Sequence, residues 1–268
     1  MVITYAEEIR RALGPDRPVR VLTSTGSTNE DALAWAGEAE SAPEGACVVT
    51  DQQLQGRGRW GRSWTSAPGK ALMFSLVLRP TEMPADRLGL LTSALGVACA
   101  EAIGDVTSLA LTIKWPNDVN IRSRKVAGIL FETQFTGHQV AVVVAGVGVN
   151  THWSLSEIPE ELRDRATSLA VERDDPPPRG ELLGAILDRF DALYLGIRDG
   201  SGVAALIARA DEMSDLKGRP VEVTWPDGRV AGGVAGGLAT SGGLNVQIEG
   251  QNQVVDVGEV TKVRSATT

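Results

Sequence analysis

Histidine and cysteine are scarce in this chain, with two of each in 268 residues. His138 and His152 fall in no motif, which argues against a histidine-dependent acid–base mechanism. Cys47 and Cys99 sit in apolar runs. Two thiols are too few for a disulfide scaffold, so both read as reduced core residues of a cytoplasmic protein. The longest apolar run, Val140 to Val149, is too short to cross a bilayer, and its β-branched content marks a buried strand. An amphipathic stretch of mixed charge, Ala6 to Leu13, stands where a signal peptide would need an apolar centre. A broad basic surface is missing too. The net charge of -8, from 26 Lys and Arg against 34 Asp and Glu, disfavours DNA or RNA as a partner. No internal repeat or low-complexity tract is evident.

What is present is an ordinary globular composition, 43% hydrophobic and 22% charged, in a chain long enough for one large unit and one small one. Helices are expected over Tyr5 to Leu13, Ser27 to about Ala39, Arg87 to Ile103, Arg179 to Gly196 and Gly202 to Met213. Strands are expected at Val19 to Leu22, Ala46 to Asp51, Ala71 to Leu78, Ala110 to Trp115, Val126 to Gln134 and Gln139 to Val147. Turns at Ser123-Arg124 and Gly137-His138 imply hairpins. The class is therefore α+β, with a mixed, largely antiparallel sheet and packed helices. After the proline-rich Asp174 to Pro178 loop and two helices, the texture changes to five short β runs: Val221 to Trp225, Arg229 to Val234, Leu244 to Ile248, Val254 to Val257 and Val260 to Arg264. Such a series suggests a small SH3-like barrel, and the domains read as residues 1–216 and 217–268.

Three segments carry chemistry-bearing residues. Gly56 to Arg62 interleaves three arginines with three glycines. Glycine lets backbone approach a ligand, and arginine offers planar bidentate donors, so the loop suits an anion. Lys114-Trp115-Pro116-Asn117-Asp118 sets a lysine and a carboxylate around a proline turn. Lys125-Val126-Ala127-Gly128-Ile129-Leu130 opens a strand with a cation and places a glycine where a ligand could approach. Local reading leaves plainer roles open: Lys125 as a solvated edge-strand lysine, Ser27 and Glu30 as a capping box, and Trp64 as an ordinary packing residue.

Taken in order with Ser27-Thr28-Asn29 upstream and Gly146-Val147-Gly148-Val149-Asn150 downstream, these segments resemble the biotin protein ligases, strongly from Val19 to Leu169 and weakly beyond. The resemblance implies ATP-dependent ligation of biotin, through biotinyl-adenylate, to a lysine of a biotin carboxyl carrier domain of acyl-CoA carboxylases. A lipoate ligase or octanoyltransferase, or a non-catalytic biotin-sensing module, are the alternatives. It implies catalytic roles for Lys125, Arg57, Arg59, Lys114 and Asp118. Biotin contacts are implied for Ser27, Thr28, Asn29, Gln53, Gly56, Arg57, Gly58, Arg59, Lys125 and Gly128. Nucleotide contacts are implied for Arg59, Arg62, Trp64, Lys114, Asn117 and Asn150. Magnesium is expected with ATP, but no protein metal cage is legible. Trp60 stands where the family loop is often basic or polar. The residues before Ser27 leave no room for the winged-helix domain of family members that double as repressors, so a ligase without operator binding is expected.

Overall fold

Eight consecutive buried residues, Ala71–Leu78, form a strand covered on both faces, which is why that run is almost continuously apolar. The computed structural model describes residues 3–38, 40–137, 139–256 and 262–265. In chain order the elements are α1 (Tyr5–Leu13), β1 (Val19–Leu22), α2 (Thr28–Ala36), β2 (Cys47–Thr50), β3 (Ala71–Leu78), α3 (Leu90–Thr107), β4 (Thr112–Lys114), β5 (Asp118–Ile121), β6 (Arg124–Thr136) and β7 (Gln139–Asn150). They continue as α4 (Leu169–Glu172), α5 (Arg179–Asp199), α6 (Val203–Glu212), β8 (Pro220–Thr224), β9 (Val230–Leu238), β10 (Leu244–Ile248), β11 (Gln251–Val255) and β12 (Lys262–Ser265).

Among the described residues the larger sheet runs β1-β2-β3-β7-β6-β5-β4. Only the β1–β2 pair is parallel, so the sheet is mixed and largely antiparallel as expected. Leu72, Phe74, Leu76 and Leu78 of β3 pack with α3 and α5. Val77 joins Val48, Val142 and Val144 under Ala32 and Trp35 of α2. This period-2 division makes a three-layer body with α2 alone on one face. The segment Ala85–Thr107 is apolar and long enough to cross a membrane, but here α3 is buried as the central core helix.

Several boundaries differ from the sequence reading. Helix α2 stops at Ala36, where Gly37 caps it; Ala39 lies outside the described residues. Residues Ala85–Arg87 form a separate 3-10 turn, and α3 runs on to Thr107 before a left-handed Ser108. β4 ends at Lys114, one residue short of the expected Trp115. The unexpected β5 folds back antiparallel through Lys114↔Asp118 and Thr112↔Asn120. Its local sequence signal is weak, because it is short and carries Asp and Asn, which are poor strand formers. The β5–β6 turn falls at Arg122-Ser123, both at positive φ (49° and 65°), the geometry of a tight hairpin turn. His138 of the β6–β7 turn lies outside the described residues, as do Val260 and Thr261 of the last expected strand.

The C-terminal strands form an antiparallel sheet in the order β11-β10-β9-β8-β12, matching the SH3-like expectation. Its core holds Leu216, Val221, Val223, Val246 and Val263, and also Trp115 from the β4–β5 turn. The Trp115 indole donates to the Gly242 carbonyl at 3.1 Å. Gly89, just before α3, meets Ser241 and Gly242 so closely that a Cβ on Gly89 would lie 2.2 Å from the Ser241 carbonyl oxygen. The small sheet is therefore fastened to the large one beside the Lys114–Asp118 turn.

Candidate active site

Glycines at the centre of the large sheet make room for a cavity of about 230 Å³ at the strand ends. Gly128 of β6 pairs with Gly148 of β7, and Leu130 with Gly146. A Cβ on Gly128 would stand 2.7 Å from Lys125 Cε and Nζ; on Gly148, 2.5 Å from the Trp64 indole; on Gly146, 2.2 Å from Asn29 Oδ1. Each glycine thus vacates the space that one polar or aromatic side chain of the cavity fills. This gives the Gly-Val-Gly strand a physical reason.

The first turn of α2 supplies one wall. Ser27 makes no capping bond through its side chain, so a capping box does not account for it. Glu30, the other half of that box, pairs instead with Arg57 at 2.9 Å. The Thr28 N–H and hydroxyl donate to Gln53 Oε1 at 2.9 and 3.1 Å. Asn29 Nδ2 donates to Glu132 Oε2 at 2.7 Å. Ser75 lies between them, its hydroxyl 2.6 Å from Asn29 Oδ1 and 2.7 Å from Thr28 Oγ1. Ser27, Thr28 and Asn29 are all buried. Buried polar groups are retained where their bonds are satisfied, and this network holds the wall rigid.

The glycine-arginine loop folds over the cavity as a narrow hairpin. The Trp64 N–H donates to the Gly56 carbonyl at 2.8 Å, and the Gly58 N–H to the Arg62 carbonyl at 2.7 Å. Trp60 at the tip adopts a left-handed backbone (φ 58°) and is half exposed. Arg57, Gly58, Arg59, Arg62 and Trp64 line the cavity. Arg57 is engaged by carboxylates, Glu30 and, at 3.6 Å, Glu132. Burial lowers the Arg59 pKa from its usual value, while the nearby Asp118 charge opposes the shift. Gly56 is buried beneath the loop neck, where a Cβ would meet the Trp64 carbonyl at 2.3 Å, and it is not among the lining residues.

The third wall comes from β4, β5 and β6. Lys125 Nζ lies 2.6 Å from Asp118 Oδ1 and 5.4 Å from the centre of the Trp64 ring. Its backbone pairs with Asn120 on one side and exchanges hydrogen bonds with Arg165 and Thr167 on the other. The reading of Lys125 as an edge-strand lysine is therefore set aside. Lys114 lines the cavity from the end of β4. Asn117 also lines it, but its amide donates to the Ile129 carbonyl at 2.9 Å and its carbonyl accepts from Ile129 at 3.0 Å, lacing the turn to β6. Asn150 stands at the end of β7, outside the lining, and donates to the Thr167 carbonyl at 3.0 Å. His152 is not a lining residue; burial and the charges of Arg179 and Lys70 lower its pKa.

Sequence reasoning missed Ser75, Glu132, Asp215 and Val263. Ser75 carried a signal, a lone hydroxyl in the apolar run Ala71–Leu78. Asp215 is not a lining residue, but it is brought near Lys114 because its segment pairs with Ile113. Burial raises its carboxyl pKa, against the Asn120 amide that donates to it and the Lys114 charge. Val263 lines the cavity from β12, which nothing local could foretell. Chemically, the arrangement sets cationic groups around one carboxylate at the junction of a polar wall and an open mouth, suited to bringing two anions together.

Known proteins share both the sequence and the fold of this chain. The family model described as the biotin/lipoate A/B protein ligase family matches residues 21–150. The bifunctional ligase/repressor BirA of Bacillus subtilis (strain 168) is 38% identical over 154 residues, 58% of this chain and 47% of that protein; the chain spans about half the length of this relative. The biotin--[acetyl-CoA-carboxylase] ligase of Mycobacterium tuberculosis is 31% identical over 251 residues, 92% of this chain and 90% of that protein. Among solved structures, the biotin protein ligase from Aquifex aeolicus in complex with biotin and ATP superposes with a TM-score of 0.80 at 29% identity, covering 93% of this chain and 99% of that one.

Proposed function

This chain belongs to the biotin/lipoate A/B protein ligase family, and from that premise we propose that it activates biotin with ATP and transfers it to a lysine of a biotin carboxyl carrier domain. The observation that carries the reading is the Lys125–Asp118 pair at 2.6 Å, under Trp64 and among the loop arginines.

In the first step a biotin carboxylate oxygen attacks the α-phosphorus of ATP, and pyrophosphate leaves. Lys125, Lys114, Arg59 and Arg62 stand where negative charge gathers and lower the barrier as fixed cations. Gln53 and the Ser27–Asn29 turn offer hydrogen bonds to the ureido head, and the glycine floor accepts the apolar ring and tail. In the second step the carrier amine attacks the acyl carbon, AMP leaves, and the amine proton passes to an acceptor, for which Asp118 stands nearest. Arg57, already neutralised by Glu30 and Glu132, fixes the loop neck to α2 and β6. Among the described residues no cluster of three His, Cys, Asp or Glu could hold a metal. Asp118 is the carboxylate in the cavity lining, which fits magnesium carried mainly on ATP phosphates, where it neutralises charge. We assign residues 1–216 to the catalytic unit and 217–268 to the SH3-like unit, in a cytoplasmic setting that suits the buried free thiols.

The test is pyrophosphate release from ATP with biotin, lipoate or octanoate, followed by transfer to a carrier domain. Biotin-dependent release is expected. Release with lipoate alone, or with none of the three, overturns the reading.

A further inference from the structure

The cavity loop leaves the sheet after β2 and returns to it at β3, and both of its roots meet a single side-chain pair. Asp51, directly after β2, accepts the Gly69 N–H at 2.9 Å through Oδ1. The same oxygen takes Arg179 Nη1 at 2.5 Å, and Arg179 Nη1 also donates to the Ala71 carbonyl at 3.1 Å. The two side chains are 11% and 22% exposed, so this charge-assisted bond is largely shielded from solvent. We propose that Arg179 and Asp51 are positioning residues that staple the two roots of the 52–68 loop together and so hold Trp64 over Lys125.

Arg179 is itself held from behind. It is the first residue of α5, and its guanidinium lies 3.9 Å from the centre of the Tyr5 ring of α1. The next residue, Gly180, donates its N–H to Glu8 of α1 at 2.6 Å, which sets a carboxylate at the positive end of the α5 dipole. A Cβ on Gly180 would lie 3.0 Å from Glu8 atoms, so glycine lets α1 and α5 approach this closely. Helix α1 contributes nothing to the cavity, and buttressing Arg179 gives it a purpose.

The staple acts mainly on the returning limb of the loop. The outgoing limb is pinned independently, because Leu54 and Gln55 donate to the Thr25 and Gly26 carbonyls at 2.8 and 2.9 Å. Residues 64–69 have fewer ties, namely the loop neck at Gly56, a Trp153 bond to Ser66 at 3.1 Å, and Asp51, whereas the Lys70 carbonyl beyond them is held separately by the Thr151 and His152 N–H groups at 3.1 and 2.9 Å. Trp64 lies on this limb, against Gly128, Gly148 and the Lys125 ammonium. A loosened root therefore reaches the reacting centre through Trp64, with no residue of the staple touching substrate.

This inference rests on the proposed ligase activity for its kinetic arm but not for its structural arm. The experiment compares Asp51→Ala, Asp51→Asn, Arg179→Ala and Arg179→Lys with a control, Glu44→Ala. Glu44 ties the far end of α5 to the sheet through Tyr194 and Arg198 and lies away from the loop. Hydrogen exchange of ligand-free protein should rise on the order of tenfold or more across residues 64–69 in Asp51→Ala and Arg179→Ala. It should rise less in Asp51→Asn, whose amide oxygen still accepts from Gly69, and in Arg179→Lys; in Glu44→Ala it should stay at the wild-type rate. Kinetically, kcat for pyrophosphate release should fall more than the biotin KM changes, with more pyrophosphate formed per biotin transferred. Unchanged exchange in folded staple variants, or the same change in Glu44→Ala, overturns the proposal. If the alanine variants do not fold, Asp51→Asn and Arg179→Lys decide it by the same criteria. A wild-type protein inactive with biotin would sink the ligase reading alone, since the exchange comparison still tests the staple.

Discussion

Lys125 and Asp118 face each other at 2.6 Å across the β5–β6 hairpin, each about one-third exposed, with the lysine stem folded over Gly128. The pair is open enough for a substrate anion to displace the carboxylate, and fixed enough to aim the ammonium. Removing the cation should cost adenylation on the order of 10²-fold, the usual loss for one positioned electrostatic donor. Lys125→Ala is therefore expected to lose biotin-dependent pyrophosphate release. Asp118→Asn should spare that step better and slow transfer to the carrier instead. Equal rates for Lys125→Ala and wild type would remove the lysine from the chemistry.

Gly128→Ala separates geometry from charge. The new methyl would stand 2.7 Å from Lys125 Cε and Nζ, the mobile end of a side chain, so the lysine yields and the fold is largely spared. A displacement of about 1 Å at a reacting group costs on the order of 10²-fold. Circular dichroism melts should therefore change little while adenylation falls steeply. A parallel loss of both would mean the glycine serves the strand and not the cation.

Trp115 should prove to be a barrel residue inside a catalytic motif. It packs with Leu216, Val221 and Val246 and donates to Gly242, so Trp115→Ala should destabilise by about 3–5 kcal/mol. Trp115→Phe keeps most of the packing and forfeits one bond, about 1 kcal/mol. For the same reason a chain cut after Leu216 loses the partner of Trp115 and the Val263 wall of the cavity. It is expected to lose nucleotide-dependent activity even where it stays folded. Full activity in a folded truncation would show the C-terminal unit to be dispensable.

Arg59→Gly should leak. The arginine is partly buried near Asp118 within the hairpin that covers the cavity, so its removal should open the mouth over the mixed anhydride. Incubated with biotin, ATP and an unrelated lysine-rich protein, the variant should label bystander lysines above wild type. Labelling no greater than wild type counts against retention by Arg59.

The two cysteines should be inert in the folded protein. Burial pushes both thiols from 9.0 up to about 12, so at pH 8 the thiolate fraction is on the order of 10⁻⁴. An aromatic disulfide reagent should titrate neither thiol natively and both in denaturant. The sign for stability follows. Folding favours the neutral thiol, so this contribution is complete below the unfolded pKa near 9.0 and fades as pH rises toward about 12. Reaction of either thiol with the reagent in the native protein at pH 8 would contradict the burial.

Much of the site was legible because its residues cluster in short motifs whose types state their chemistry: a glycine-arginine loop, a lysine beside a proline turn, a lysine three residues before a glycine. The cavity gathers Ser27, Thr28, Asn29, Gln53, Arg57, Gly58, Arg59, Arg62, Trp64, Lys114, Asn117, Asp118, Lys125 and Gly128. Gly56 and Asn150 lie beside that lining, where the Gly56 carbonyl takes the Trp64 N–H and the Asn150 amide donates to the Thr167 carbonyl. Strand β5 escaped notice because its stability comes from pairing on both sides and not from its own propensity.

The amino-acid sequence by itself determined the α+β class, the strand runs that are apolar on both faces, the C-terminal change to short β segments, and which residue types could handle anions. These follow from local periodicity and side-chain chemistry, which act within a few residues. Tertiary structure alone decided that Trp115 sits in the C-terminal core, that Ser75 joins Asn29 to Thr28, that Glu30 and Glu132 occupy Arg57, and that Arg179 reaches Asp51 across 128 positions of chain. Such contacts depend on how layers stack and strands register, and no local pattern records which distant side chain will fill the space a glycine leaves open.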